Sequence, residues 1–177
     1  MAGMPRITGI MVGIAPAGLS SGFDVPGAGH EKVTLSFSDG SNMTLEAGPS
    51  GALGTGDLVE QNYGGTASAQ ILLSTPSVNT TGYNILDAYD NYAATTADTP
   101  VSYSADGSDG YNSNAWVNAL LLSAGVPPSV VNDINQQLQQ QSGLSPIGAG
   151  DGSELAPEFT GDDGGGDDDG GGGRLEM

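Results

Sequence analysis

The chain has 177 residues, of which 37% are hydrophobic and none is cysteine, and its formal net charge at pH 7 is −18. Without cysteine it forms no disulfides or thiolate zinc sites and has no cysteine nucleophile. So acidic a surface repels nucleic-acid phosphates and anionic membranes, and no apolar run approaches the ~18–20 residues that span a bilayer, so we expect neither kind of partner.

The chain begins with a segment that predicts a β-strand. Residues 6–14 (RITGIMVGI) are rich in isoleucine and valine, as strands are. Residues 7–19 also resemble the apolar part of an export signal, but only Arg6 precedes them, and glycine and proline interrupt them. We therefore favour a strand, followed by a loop of small residues over 15–29.

The next segment predicts a β-hairpin. Residues 30–37 alternate, which places Val33, Leu35 and Phe37 on one face. The sequence SDGS (38–41) is a turn signal because an Asp-Gly pair supports positive φ, and residues 42–48 return as a second strand. Residues 69–75 predict a further strand, and 100–110 a short strand and a turn.

The later part of the chain predicts helices. Residues 81–97 have apolar side chains at helical intervals, with Thr80 or Thr81 as the cap. Between Ala115 and Leu122 only Asn118 is polar, which indicates a buried helix that ends at Gly125. Residues 129–141 predict another helix, capped by Ser129.

These elements predict an α+β fold, with a small antiparallel sheet packed against the buried helix. We expect one globular domain over residues 1–145 and a disordered, acidic, Gly/Asp-rich tail over 146–177. Residues 161–173 (GDDGGGDDDGGGG) are of low complexity and lack the ligand spacing of calcium-binding loops. We therefore expect no metal and no cofactor.

One histidine in the chain makes a serine hydrolase hypothesis specific. A serine hydroxyl needs a base to take its proton, and histidine is the usual base. His30 is the only histidine, and we expect Ser113 in the first turn of the buried helix, where main-chain N–H groups favour a developing anion. Asn112 and Asn114 are candidates to donate hydrogen bonds or to hold the imidazole, and Glu46 to orient His30 from the adjacent strand.

The same residues have a structural interpretation. Serine and asparagine are favoured helix N-cap residues, so Asn112, Ser113 and Asn114 are explained by capping alone. A single histidine at the start of a strand is commonly a surface or structural group. Composition alone favours capping and a structural histidine over catalysis.

The order of these residues resembles the permuted papain-like group of enzymes. The sequence from Asn112 to Asn118 (NSNAWVN) is similar to the N-C-N-x-F motif that opens the nucleophile helix in PPPDE peptidases, with Trp116 as the aromatic residue. Residues 29–49 (GHEKVTLSFSDGSNMTLEAGP) resemble the preceding histidine strand, turn and second strand. The group also includes permuted NlpC/P60-type peptidases and enzymes like lecithin retinol acyltransferase (LRAT).

This resemblance implies a hydrolase or acyltransferase that acts on an amide, peptide or ester bond, with Ser113 as nucleophile and His30 as base. The family nucleophile is cysteine, so Ser113 is a native serine nucleophile, an engineered replacement, or the mark of a member that no longer catalyses. The alternative function is a catalytically inactive binding module of a secreted bacterial protein. A secreted or exported location is favoured over the cytoplasm.

Overall fold

The computed structural model describes residues 5–18, 24–51, 55–61, 66–104, 111–146 and 152–160. Their strands are β1 (Ile7–Gly18), β2 (Asp24–Phe37), β3 (Asn42–Leu45), β4 (Ala47–Pro49), β5 (Leu58–Glu60) and β6 (Ala69–Leu72). Their helices are α1 (Val78–Thr96), α2 (Ser113–Ser123), α3 (Pro128–Ser142) and a 3-10 helix (Ala156–Phe159). The fold class is α+β, and none of the described helices is long and apolar enough to cross a membrane.

The main sheet has four antiparallel strands in the order β3-β2-β1-β6, and β4 and β5 form a separate pair. Residues of β2 alternate across the sheet, so Val33 and Leu35 are buried on one face while Thr34 and Ser36 on the other face are partly exposed. The predicted hairpin is present, with Leu35 opposite Met43.

The strand β1 and the strand β2 extend into the predicted loop over residues 15–29. Strand β1 continues to Gly18, and β2 begins at Asp24 rather than at residue 30. Small residues and proline have low strand propensity, but pairing between β1 and β2 satisfies the main chain and overrides that local preference. His30 therefore lies within a long strand and not at its start.

Helix α2 is the buried helix predicted from the sequence. Its residues from Ser113 to Leu121 are all buried, and Trp116 is 0% exposed. The indole packs at right angles to Tyr89 and Tyr92, with ring centroids 6.0 and 5.9 Å apart. Gly125, with φ of 85°, follows the helix end, as predicted.

The other two helices begin earlier than predicted. Helix α1 begins at Val78, and its cap is Ser77. Helix α3 begins at Pro128 after Pro127, so Ser129 lies inside the first turn and provides no cap. A proline at the first helical position fits because the helix makes no use of the N–H that proline lacks.

Residues 152–160 pack against the core, which differs from the expectation of a tail beginning at residue 146. Leu155 and Phe159 are each 1% exposed, and the Phe159 ring stacks on Tyr92 with centroids 4.7 Å apart. Gly152 fits against α2 because a Cβ there would lie 2.6 Å from the Ala119 nitrogen. Leu155 and Phe159 give no periodic pattern in the sequence, because glycine and acidic residues surround them. The low-complexity segment 161–173 lies outside the described residues.

Candidate functional site

The candidate site lies where β2 extends beyond the end of β3. Strand β3 pairs with β2 only over residues 33–36, so the β2 edge at residues 27–31 needs other hydrogen-bond partners. Ser145 supplies the first of these, because Gly29 N donates to Ser145 O at 2.8 Å and Ser145 N donates to Gly27 O at 2.8 Å. On the opposite edge, His30 pairs with Ala15 of β1.

The carboxamide of Asn114 completes this edge. Its Nδ2 donates to Gly29 O at 3.0 Å, and its Oδ1 accepts from Glu31 N at 2.9 Å. The side chain thus pairs with β2 as a neighbouring strand would, on both sides of His30. Asn114 is 3% exposed, so these bonds are shielded from water. We call these two bonds the β2–α2 contact.

Gly29 packs closely against β1 and against the segment that follows α3. A Cβ at residue 29 would collide with the Ile14 side chain and would lie 3.2 Å from Leu144 Cβ. Any side chain at this position would have to displace these two neighbours.

Asn112 caps α2, and Ser113 is the first helical residue. Asn112 Oδ1 accepts from the main-chain nitrogens of Asn114 and Ala115, both at 3.0 Å. Of the three predicted residues, Asn112 therefore supplies the cap, and Asn114 binds β2. Ser113 is 5% exposed.

His30 and Glu46 lie in direct contact. Imidazole Nε2 is 3.1 Å from Glu46 Oε2, and their side chains are 15% and 1% exposed. When Glu46 is ionised it accepts this hydrogen bond, and imidazole Nε2 then carries the proton. In that tautomer of the neutral ring the lone pair is on Nδ1.

The predicted residues make three separate contacts. Asn112 caps α2, the Asn114 carboxamide bonds the β2 main chain on either side of His30, and the His30 imidazole contacts Glu46. No hydrogen bond joins the Ser113 hydroxyl to His30 in the part of the chain that is described. Catalytic hydrogen bonds are often long before substrate binds.

Glu31 is a residue of this region that the sequence analysis missed. Its side chain is 0% exposed, and neither carboxyl oxygen has a hydrogen-bond partner among the described residues. Burial raises the pKa of Glu31 to about 8. The signal was present in the sequence, because the alternation that puts Val33 and Leu35 in the core also puts residue 31 there.

The described residues contain no cluster of His, Asp and Glu that could hold a metal ion. No protein-family model, curated protein or solved structure matches this chain.

Proposed function

We propose that this chain is a hydrolase or acyltransferase that forms an acyl intermediate on Ser113. His30 is the base, Glu46 orients it, and the bond cleaved is an amide, peptide or ester. The observation that carries the proposal is the β2–α2 contact. In this contact, Asn114 of the first turn of α2 bonds β2 on both sides of His30, the only histidine of the chain. Ser113 belongs to the same helical turn.

The proposed reaction needs one proton relay. Ser113 Oγ attacks the substrate carbonyl while His30 Nδ1 takes the hydroxyl proton, and the imidazolium then protonates the leaving group. Glu46 holds Nε2–H and stabilises the positive charge on the ring. Water, or another acceptor in an acyltransferase, attacks the acyl ester through the same base and releases Ser113.

The first turn of α2 limits which groups stabilise the oxyanion. The amides of Asn114 and Ala115 donate to the Asn112 cap, and the Asn114 carboxamide donates to Gly29. This leaves the main-chain N–H of Ser113 as the first-turn donor that the cap does not use. The positive end of the helix dipole acts at the same place.

The arrangement we propose is permuted papain-like. A histidine strand precedes the nucleophile helix in the chain, and the helix packs against the antiparallel sheet, as the sequence resemblance implies. Two observations support this proposal, namely the contact of α2 with β2 through Asn114 and the contact of the Glu46 carboxylate with the His30 imidazole.

Ser113→Cys is a sharp test because it introduces the only thiol of the chain. A thiol with the ordinary pKa of about 8.5 is only ~1% thiolate at pH 6.5. Beside a histidine base, the fraction rises, so we expect alkylation by iodoacetamide at pH 6.5 to be at least about tenfold faster than for a control thiol. Ser123→Cys, at the other end of α2, is that control.

His30→Ala in the Ser113→Cys background should reduce the alkylation rate to the control rate. For the unsubstituted chain, a fluorophosphonate should label the protein, and Ser113→Ala but not Ser123→Ala should abolish labelling. The proposal fails if the Ser113→Cys thiol alkylates at the same rate with and without His30.

Two observations favour the second candidate, a binding module without catalysis. Ser113 is 5% exposed, and Asn112 and Asn114 both have structural hydrogen bonds. A substrate would need an opening to reach such a serine. Equal alkylation with and without His30 and no fluorophosphonate labelling would together favour the binding module.

A further inference from the structure

We propose that Glu31 is a proton-binding residue that holds the β2–α2 contact closed while it is protonated and opens it when it ionises. The main-chain N–H of Glu31 donates one of the two hydrogen bonds of that contact, to Asn114 Oδ1. Glu31 is therefore a positioning residue for Ser113 and His30, and this last step rests on the function proposed above. The proton binding and the opening do not depend on that function.

The geometry leaves a carboxylate at this position without compensation. Glu31 is 0% exposed, and both of its oxygens lack a hydrogen-bond partner within the described ranges. Across the ladder it is opposite Ile14, which is itself 0% exposed. A buried, unpaired carboxylate is so costly that the group binds a proton instead.

Among the described residues, the elements that pack most closely against β2 carry no charge to offset the ionisation of Glu31. The sequences of β1, β3 and α2, which pack against β2, contain no ionisable side chain. The residues on either side of Glu31 in β2, His30 and Lys32, are ionisable, and neighbours on a strand point to opposite faces. His30 has the Glu46 carboxylate as its partner.

Linkage gives the direction of the pH effect. Burial raises the pKa of Glu31 to about 8, whereas an exposed glutamate has a pKa of about 4.3. Between these values the folded chain binds more protons than the unfolded chain, so the folded state loses stability as the pH rises. This loss of folding stability is absent below about pH 4 and complete above about pH 8. To ionise, the carboxyl must reach water, and this moves the residue whose N–H binds Asn114.

Urea unfolding of the full chain at several pH values tests the proton binding. Trp116 is the only tryptophan and is 0% exposed, so its fluorescence reports the transition. We expect Glu31 to raise the unfolding equilibrium constant about tenfold for each pH unit between pH 5 and 7. Glu31→Gln should remove this contribution to the increase of the unfolding constant with pH. Burial also raises the pKa of Glu60 to about 7, but its contribution is the same in both proteins and cancels in the comparison.

Two further variants keep the test decisive. Asp133→Asn removes one negative charge from an exposed position on α3 and should leave the pH dependence unchanged. If the buried glutamine amide prevents Glu31→Gln from folding, Glu31→Met replaces it in the test. Methionine is apolar and of similar length, and this variant should also lack the pH dependence. Equal pH dependence in the unsubstituted chain and in either Glu31 variant overturns the proposal.

Hydrogen exchange measures the opening itself. After correction for intrinsic rates, protection of the residue 31 amide should fall severalfold from pH 6 to pH 8 in the unsubstituted chain and stay constant in Glu31→Gln. Unchanged protection in the unsubstituted chain overturns the opening.

Labelling measures the positioning role. The fluorophosphonate rate should decrease severalfold above pH 8 only when Glu31 is present. An identical alkaline profile in Glu31→Gln overturns the positioning role. Absence of labelling in every variant contradicts the acyl intermediate instead, and the unfolding and exchange results still decide the proton binding and the opening.

Discussion

Helices α1 and α2 both begin with a side-chain cap, but the two caps have different surroundings. Ser77 at the start of α1 is exposed, and its hydroxyl accepts from Thr80 N at 3.4 Å. Asn112 at the start of α2 is 2% exposed and accepts from two main-chain nitrogens at 3.0 Å. The next two residues of α2, Ser113 and Asn114, are also polar and buried.

The difference shows that capping accounts for only part of the start of α2. One exposed hydroxyl suffices for α1, and burying polar groups costs free energy unless each is hydrogen-bonded. The Asn114 side chain makes two hydrogen bonds to β2. Asn112 caps the helix, Asn114 joins it to the histidine strand, and Ser113 lies between them.

Replacing Asn114 should have the largest effect on stability. Asn114→Ala removes two hydrogen bonds and leaves Gly29 O and Glu31 N buried without partners, so we expect unfolding to become easier by about 3–5 kcal/mol. Urea unfolding at pH 6 measures this. Asn84→Ala is the matched control, because Asn84 is an exposed residue whose carboxamide makes a 3.4 Å bond to Ala124 O. A loss below about 1 kcal/mol for Asn114→Ala would show that the β2–α2 contact is not structurally important.

Replacing Asn112 should have an intermediate effect. Asn112→Ala removes the cap and leaves two buried N–H groups, for an expected loss of about 2–3 kcal/mol. Ser77→Ala, the exposed counterpart on α1, should cost about 0.5–1 kcal/mol in the same measurement. Equal losses of stability in Asn112→Ala and Ser77→Ala would mean that burial of the α2 cap does not increase its contribution. The two caps would then not differ in energy.

Local sequence patterns predicted the elements whose pattern and environment agree. The alternation in residues 30–37 and the turn at 38–41 predicted the β2–β3 hairpin, and the apolar run after Ala115 predicted α2. The contact between His30 and Glu46 also follows from that hairpin, because β3 ends at Leu45, just before Glu46.

Features that depend on tertiary contacts were missed. The carboxamide of Asn114 bonds residues 83 and 85 positions away, and no local pattern specifies such partners. Phe159 is buried by aromatic rings of α1 and α2, although its sequence neighbours resemble a linker. Glu31 has the charge of a surface residue but the strand position of a core residue, and the position determined its burial.

The smallest change in stability should come from Ser113→Ala, and it separates the two interpretations of this serine. The cap depends on Asn112 Oδ1, and alanine has the higher helix propensity, so we expect a change within about 0.5 kcal/mol. Fluorophosphonate labelling should nevertheless disappear. Buried polar side chains that do not stabilise the fold are typical of functional sites, where they are needed for the reaction and not for stability. A loss above about 1 kcal/mol would instead assign the hydroxyl a structural role, as at a cap.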